Sequence, residues 1–370
     1  MLKQLIRLGG RNWWLSFLLW IAMICPAQAA IELRVAIEDG VKQVKVGSST
    51  PAVVRDGAGR VLGEVSEMNG LEAQTHAGGV ALGQWQADQI WIEPTNGGYV
   101  WIRDRWYRGR TRVVPTSKGI TAVNHVDLEQ YLYSVLGAEM SASWPQEALK
   151  AQAVAARSYA LNKRQTSTKS IYDVVNTQTS QVYKGLTTEA ESTQTAVNAT
   201  AGQVMTYNGK IILAVFHSSS GGHTENVENV WSSPLPYLRG VPDYDQGTPQ
   251  YQWEKTISAS ELSRRLGISK VKALLPERTS TYGRIMSIKA VGAAGSRSIA
   301  GTKLREALGL KSTRFTVSST PIGFQFNGFG FGHGLGLSQW GAYNLAQQGV
   351  NYQQILQHYY QNVSFSQLQG

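Results

Sequence analysis

The hydrophobic pattern of this sequence changes near Val113, and that change limits the folds open to the chain. From Ile31 to Arg112, short runs typical of strands are separated by turn residues, which predicts a β-rich N-terminal region. Beyond the change, Asp127 precedes apolar residues at the helical spacings i, i+3, i+4 and i+7, namely Leu128, Tyr131, Leu132 and Val135. We therefore expect an α+β fold in which helices pack on antiparallel sheet.

Later segments follow the same mixed pattern. Pro145 begins an alanine-rich helix that ends near Arg164, because proline is tolerated in the first helical turn. Asn208-Gly209 joins two strand-like runs and predicts a hairpin. Ser338 caps a short helix that ends before Gly349. The pattern of residues 254–310 predicts a helix, a strand and a helix. We expect no functional site there.

The first 29 residues have the three parts of a secretory signal peptide. Three basic residues precede an apolar run from Trp13 to Ile24, and Ala27-Gln28-Ala29 forms a small-residue cleavage site. A membrane span is the alternative, but this run is short of the ~20 residues that cross a bilayer. We expect residues 1–29 to be removed, the mature chain to have no membrane span, and the protein to be exported to the periplasm or cell wall.

Removal of this segment leaves a basic chain without cysteine. Cys25 is the only cysteine, so the mature chain has neither disulfides nor a cysteine-based metal site. Subtracting three from 35 basic residues leaves 32 against 25 acidic residues, a net charge of +7. This charge is consistent with an anionic partner such as a cell-wall polymer or lipid headgroups. It is equally consistent with a surface charge that only keeps the protein soluble. No dense Lys/Arg run is present, which argues against a nucleic-acid partner.

Glu139 is the sharpest catalytic candidate from spacing alone. It follows Leu136 by three residues and Val135 by four, so it is directed toward the apolar side of its own helix. Burial disfavours the charged form of a carboxyl and raises its pKa, which suits a general acid near neutral pH. A buried structural carboxylate bonded to Lys150 or Arg157 is the alternative.

The loop His217–His223 follows the predicted hairpin and could carry a second part of a site. A metal site on His217 and His223, completed by His333 or Glu225, would need ligands from distant segments to converge. A serine nucleophile within the loop is a second possibility, although no Gly-x-Ser-x-Gly elbow occurs. Histidines that only hydrogen-bond in a polar cleft are the third.

A glycine-rich segment lies near the C-terminus, where glycines alternate with larger residues from 328 to 337. Glycine at this spacing lets the backbone approach another chain segment or a ligand closely. The segment has neither a Gly-Lys-Ser/Thr ending nor a Gly-x-Gly-x-x-Gly turn in a βαβ unit, which excludes nucleotide binding.

Four ordered segments of this sequence resemble the stage II sporulation protein D family, over roughly residues 104–365. They are VNHVDLEQYL at 123–132 with GAEM at 137–140, EALKAQAVAARSYAL at 147–161, FHSSSGGHTE at 216–225, and GFGHGLGLSQWGA at 330–342. The resemblance divides the chain into a signal peptide (1–29), a β-rich N-terminal region (30–103) and a sporulation-protein-D-like catalytic domain (104–365).

This resemblance implies a lytic transglycosylase that cleaves peptidoglycan glycan strands stripped of stem peptides, leaving 1,6-anhydro-N-acetylmuramic acid ends. Glu139 stands at the position of the catalytic acid and base, and one carboxylate suffices because the sugar's own C6 hydroxyl attacks C1. Membership of the matching motifs assigns a glycan-binding groove to Gln152, Arg157, Tyr183, His217, Ser219, His223, His333, Gln339 and Tyr343.

The resemblance also raises two questions, one about a metal site and one about catalysis. Some relatives bind zinc through cysteine and histidine, but this mature chain has no cysteine, so we expect no metal and no other cofactor. Other relatives are enhancers of cell-wall amidases. A non-catalytic, glycan-binding enhancer with an amidase as its partner is therefore the second hypothesis.

Overall fold

The computed structural model describes residues 31–231 and 233–368. The predicted signal peptide, residues 1–29, lies outside them. Within the described residues, none of the helices combines the length and apolarity needed to cross a membrane.

The N-terminal region contains two mainly antiparallel sheets that share one core. Its strands are β1 (Glu32–Val41), β2 (Gln43–Ser48), β3 (Ala52–Asp56), β4 (Val61–Val65), β5 (Gly70–His76), β6 (Gly79–Leu82), β7 (Trp85–Ala87), β8 (Ile90–Pro94), β9 (Val100–Ile102), β10 (Arg105–Tyr107), β11 (Arg110–Thr116) and β12 (Gly119–Asp127). One sheet has the order β1-β12-β11-β8-β3-β4, with a short strand at Val174–Val175 added in parallel beside β1, and the other has the order β10-β9-β2-β5-β6-β7. Fully buried aliphatic side chains such as Val35, Val54 and Ile120 fill the core.

These strands continue past the boundary expected between residues 103 and 104. The boundary falls in the turn of the β9–β10 hairpin, where Arg103 has a φ of 60°. Beyond it, β11 pairs with β8 and β12 pairs with β1. Residues on both sides of the expected boundary therefore belong to the same sheet.

Two long helices follow directly from β12. They are α1 (Leu128–Glu139) and α2 (Gln146–Thr166). The side chain of Asp127 accepts a hydrogen bond of 3.0 Å from the Gln130 backbone N–H, so the predicted N-cap is confirmed. One face of α2 packs against the N-terminal core and the other faces a second core, which its small alanine side chains allow.

The rest of the α+β body packs around α2. It contains β13 (Val174–Val175), a 3₁₀ turn (Gly185–Thr188), α3 (Glu191–Ala199), β14 (Gln203–Tyr207), β15 (Lys210–Ile211), β16 (Phe216–His217) and α4 (Val227–Val230). Asn208 and Gly209 have φ values of 49° and 73°, which confirms the predicted hairpin between β14 and β15. The expected combination of helices, antiparallel sheet and a β-rich N-terminal region is confirmed.

Residues 252–329 form a smaller unit with its own core. Its elements are β17 (Gln252–Ile257), α5 (Ala259–Leu266), β18 (Ala273–Thr279), β19 (Ile285–Gly292), β20 (Gly295–Ala300), α6 (Gly301–Leu308), β21 (Phe315–Thr320) and β22 (Gly323–Phe329). The expected helix, strand and helix over 254–310 is confirmed in part, because both helices are present but three strands lie between them and β17 precedes them. Most side chains of β18 and β20 are exposed, so these strands show no apolar alternation in the sequence.

The chain then returns to the main body through the glycine-rich segment. The last elements are β23 (Leu337–Ser338), α7 (Gln339–Gln347), α8 (Tyr352–Tyr359) and β24 (Ser364–Gln367). The side chain of Ser338 caps α7 by accepting a hydrogen bond from the Gly341 N–H, as predicted. Because β16 pairs in parallel with β23, the His217 loop and the glycine-rich segment lie side by side.

Candidate active site

One groove, with a volume of about 670 Å³, brings together Glu139, His217, His333 and Gln339. Its walls come from the end of α1, the last turns of α2, the segment after β13, the approach to β16, α6 and the glycine-rich segment. The lining residues are Ala138, Glu139, Tyr159, Lys163, Gln178, Thr179, Ser180, Val182, Leu213, Val215, Phe216, His217, Ser218, Trp231, Arg305, Phe331, Gly332, His333 and Gln339.

Glu139 is the last residue of α1, and that helix positions it. Its Oε1 accepts a hydrogen bond of 2.8 Å from the backbone N–H of Val182. The alternative, a structural bond to Lys150 or Arg157, is not observed, because Lys150 pairs with Glu147 and Arg157 pairs with another carboxylate. Glu139 is thus anchored through one oxygen while its side chain lines the groove.

Burial is the largest influence on Glu139, and it raises the pKa of this carboxyl. The Val182 N–H, the Gln339 amide and the Lys184 ammonium favour the charged form and offset part of the rise. The C-terminal end of α1 also carries partial negative charge from its free carbonyl groups, which favours the protonated form. Glu139 therefore holds its proton to higher pH than an exposed glutamate does.

His217 and His333 contribute two neutral imidazoles to the groove, with ring centroids 5.3 Å apart. The Nδ1–H of His217 donates to the Leu335 carbonyl at 3.0 Å, which leaves Nε2 as an acceptor without a partner among the described residues. The Nδ1 of His333 accepts from the Leu335 N–H at 3.0 Å. Burial and nearby guanidinium groups lower both pKa values, to about 3 for His333 and well below the ordinary value for His217.

The glycine-rich segment supports this arrangement through close backbone approach. Gly332 has a φ of 124°, and a Cβ atom there would lie 2.6 Å from the Cβ of His217. A Cβ on Gly334, at a φ of 80°, would overlap the guanidinium of Arg284. A side chain at either position would force the two segments apart, so these glycines have a structural role.

Positive side chains outnumber negative ones among the described residues that line the groove. Glu139 is the only carboxylate among its described lining residues, whereas Lys163 and Arg305 supply two cations. Trp231, 42% exposed, adds an aromatic face, and its ring centroid lies 5.7 Å from that of His333. The groove thus combines one acid, two cations, neutral hydrogen-bonding groups and an aromatic surface, which suits an oligosaccharide that carries some negative charge.

Arg157 and Tyr183, expected in the glycan-binding groove, are buried in the protein interior instead. Arg157 is fully buried and forms a bidentate ion pair with Glu129, at 2.7 Å and 2.5 Å. Tyr183 donates to the side chain of Asn124 at 2.9 Å and packs against Tyr131. Neither side chain lines the groove.

Ser219 and His223 also lie outside the groove, although they belong to the same loop as His217. Ser219 is buried and its hydroxyl donates to Asp245. His223 stacks on Tyr282 with ring centroids 3.8 Å apart, and its Nδ1 contacts a backbone carbonyl. These contacts hold the loop in place.

Gln152 and Tyr343 complete the set of residues assigned by motif membership. Gln152 is fully buried in α2 and does not line the groove. Tyr343 packs against Trp144 and Trp340, with centroids 5.1 Å and 5.4 Å away, outside the lining residues. Of the nine residues assigned to glycan binding, the structure places His217, His333 and Gln339 in the groove.

The histidines do not form the three-ligand site considered from the sequence. His223 faces Tyr282, while His217 and His333 face each other, and across residues 31–231 and 233–368 no three His, Cys, Asp or Glu side chains form a group suited to a metal ion. Two of the loop serines show no triad either, because Ser219 and Ser220 donate to Asp245 and Asp243 rather than to histidine.

The groove residues that sequence reasoning missed include Lys163, Val182, Trp231 and Arg305. Lys163 lies near the end of a helix that the sequence did predict, two residues after the last buried residue of α2, so its position could have been found from that helix. Val182 acts through its backbone N–H, which no side-chain pattern reveals. Arg305 comes from the smaller unit, where no site was expected.

Comparison with known proteins agrees with this architecture. A family model described as "Stage II sporulation protein" matches residues 116–207. Stage II sporulation protein D of Bacillus subtilis is 33% identical over 269 residues, which cover 66% of this chain and 76% of that protein. The chain belongs to the stage II sporulation protein D family. An uncharacterised protein of Brachyspira hyodysenteriae is 35% identical over 268 residues, 70% of this chain and 71% of that protein.

Two further matches also bear on this family member. A protein named "Amidase enhancer" from Bacillus subtilis is 32% identical over 285 residues, which cover 62% of this chain and 39% of that protein. A model described as a domain of unknown function matches residues 238–336. That second match includes both Arg305 and His333, so the groove contains residues from both matched regions.

Proposed function

We propose that this protein is an exported lytic transglycosylase of the periplasm or cell wall that cleaves peptidoglycan glycan strands stripped of stem peptides. One observation carries the proposal: Glu139 is the only carboxylate among the described residues that line the groove. Hydrolases of glycosidic bonds commonly use two carboxylates that flank the bond. A reaction that needs only one carboxylate fits this groove better.

In the proposed reaction, protonated Glu139 donates its proton to the oxygen that links N-acetylmuramic acid to the next sugar. The bond between C1 and that oxygen breaks, and its electron pair stays with the leaving oxygen. The C6 hydroxyl of the muramic acid attacks C1 and forms the 1,6-anhydro ring. Its proton passes to the Glu139 carboxylate, which restores the acid. No water is consumed, and both proton transfers use the same side chain.

The surroundings of Glu139 suit these two roles. A raised pKa keeps the carboxyl protonated before the leaving group departs. The hydrogen bond from Val182 holds Oε1, so Oε2 is the oxygen we assign to substrate. The unpartnered Nε2 of His217 is an acceptor for a sugar hydroxyl. Neither proton transfer requires a cofactor, and we propose that none is used.

A non-catalytic enhancer of a cell-wall amidase is the second candidate. The observation that favours it is the similarity to the Bacillus subtilis protein named "Amidase enhancer". In this function the same groove would bind glycan without cleaving it. The two candidates share glycan strands as a partner and differ in whether Glu139 transfers protons.

Product mass separates the candidates. The mature protein is incubated with purified glycan strands, with and without stem peptides, beside Glu139→Gln and the control Glu254→Gln, which alters an exposed carboxylate outside the groove. We expect products one water lighter than hydrolytic ones from the wild type and the control, in buffer that contains a chelator, and none from Glu139→Gln.

The other outcomes are equally informative. Ordinary reducing ends would identify a hydrolase with a second carboxylate and would overturn the transglycosylase proposal. Full activity in Glu139→Gln would overturn the assignment of the acid. Binding without cleavage on both substrates, with stimulation of an added amidase, would establish the enhancer function instead.

A further inference from the structure

The groove contains a cation without a counter-ion. Arg305 projects from α6 of the smaller unit into the groove, where its Nε–H donates to the Lys311 carbonyl at 3.1 Å. No carboxylate in the described part of the chain lies within ion-pair distance of it. Several other partly buried arginines have such partners: Arg34 pairs with Asp173, Arg108 with Glu189 and Arg239 with Glu228.

The cost of this arrangement indicates a ligand. Burial lowers the pKa of Arg305, because its charge is removed from water without a compensating anion. Its charge also helps to keep His217 and His333 neutral. This guanidinium is held in the groove at a cost to stability, and it keeps N–H donors that are free to bind a ligand. Such a group is well suited to bind an anion that arrives with the substrate.

The chemistry of the proposed substrate supplies one such anion. The sugar hydroxyls and acetamido groups of a glycan strand are neutral. The lactyl group of muramic acid ends in a carboxylate when no stem peptide is attached, and in a neutral amide when one is. We propose that Arg305 is a specificity-determining residue that binds this free lactyl carboxylate, an inference that rests on the proposed function.

The proposal also explains how the groove would reject strands that retain their peptides. An amide in place of the carboxylate loses the ion pair and leaves the partly buried guanidinium without a partner, which costs more than the loss of an exposed contact. Lys163, the other cation that lines the groove, is the main competitor for this role. Its ammonium lies 5.5 Å from the ring centroid of Tyr159.

The test measures binding in the Glu139→Gln background, so that it does not depend on cleavage. Two ligands are compared: glycan strands with free lactyl carboxylates, and the same strands with these groups converted to methylamides. We expect the free acid to bind roughly 10- to 100-fold more tightly, as a charge-assisted hydrogen-bonded pair predicts. Adding Arg305→Gln should remove this preference, and Arg305→Lys should retain part of it.

Two matched controls are made in the same background. Arg264→Gln makes the same change at an exposed arginine of the smaller unit and should keep the full preference. Lys163→Gln should weaken both ligands without abolishing the preference. A preference that survives Arg305→Gln, or one that disappears only with Lys163→Gln, would overturn the proposal. Equal binding of the two ligands by Glu139→Gln alone would overturn it as well.

Failure of this inference can be distinguished from failure of the proposed function. If the wild type releases no anhydro products but Glu139→Gln prefers the free acid through Arg305, the inference stands and the protein is a binding module. If anhydro products form at equal rates from both strands and Arg305→Gln changes neither, the transglycosylase stands and the inference fails.

Discussion

The Oε1 atom of Glu139 accepts a hydrogen bond of 2.8 Å from the backbone N–H of Val182. The two residues belong to different segments, one at the end of α1 and the other after β13. Because the donor is a backbone group, its position depends on the fold of its segment rather than on a side-chain rotamer. The orientation of the proposed acid is therefore maintained by packing on both sides of the groove.

Cleavage should depend on pH through Glu139. The proposed reaction begins with the protonated carboxyl, so kcat/KM should be constant at low pH and fall as pH rises through the pKa of Glu139. Burial raises that pKa, which moves the fall to higher pH than the ordinary value of a glutamate. A pH–rate profile on stripped strands measures this, and a fall centred at or below the ordinary glutamate value would contradict it.

The same shift should affect stability. A glutamate whose pKa is raised by folding stabilises the protein at low pH, and this contribution is lost as pH rises from its unfolded value through its folded value. Glu139→Gln cannot ionise, so its melting temperature should rise relative to that of the wild type across this interval. Thermal denaturation of both proteins from pH 4 to pH 8 tests the prediction, and a constant difference would argue against burial of the charge.

Trp231 should contribute to glycan affinity by stacking on a sugar. It is 42% exposed and lines the groove. Trp231→Ala in the Glu139→Gln background should weaken binding by about 1 kcal/mol, roughly fivefold, whereas Trp231→Phe should retain most of the affinity. Tyr244→Ala, which removes an exposed aromatic ring outside the groove, is the control. Equal losses in the alanine variants would indicate a non-specific effect.

Arg157 should matter for stability rather than for substrate binding. Its ion pair with Glu129 and its bonds to the carbonyls of Val197 and Gln203 are in the interior. Arg157→Met leaves Glu129 without its partner and should cost about 3–5 kcal/mol of unfolding free energy, measured by urea denaturation. Any folded fraction should bind glycan with wild-type affinity. A variant with normal stability and weak glycan binding would show instead that Arg157 contacts the substrate.

His217 and His333 should remain neutral over the working pH range. Burial and neighbouring cations lower both pKa values. Their imidazole resonances, followed by NMR in the intact protein, should therefore show no titration between pH 5 and pH 8. A transition near pH 6.5 in either ring would show that these groups are more solvated than the structure indicates, and would add a second group to the pH–rate profile.

Local signals in the sequence predicted local structure well. The N-cap at Asp127, the hairpin at Asn208-Gly209 and the cap at Ser338 each depend on residues within four positions of one another. The direction of Glu139 likewise followed from the helical spacing of α1. Such features need no knowledge of distant contacts.

The errors came from contacts between distant residues. Arg157 and Glu129 are 28 positions apart, and Tyr183 and Asn124 are 59 positions apart, so no spacing rule reveals that they are partners. Membership of a shared motif indicates that a residue matters, but it does not separate a buried ion pair from a sugar contact. Arg305 was missed for the same reason: a helix was expected in its part of the chain, but no spacing rule shows that this helix lies against the groove that contains Glu139.

The ends of the smaller unit have a consequence for how specificity could be changed. Gln252 and Phe329 are partners in the pairing of β17 with β22, so the chain enters and leaves residues 252–329 at nearly one point. Segments with adjacent ends and a core of their own can be exchanged with little disturbance to their host. In this protein the exchangeable segment carries Arg305, whereas Glu139 belongs to the host. The proposed substrate choice and the proposed proton transfer are therefore assigned to separable pieces of chain, and a graft at Gln252 and Phe329 from a relative should alter the first while leaving the second in place.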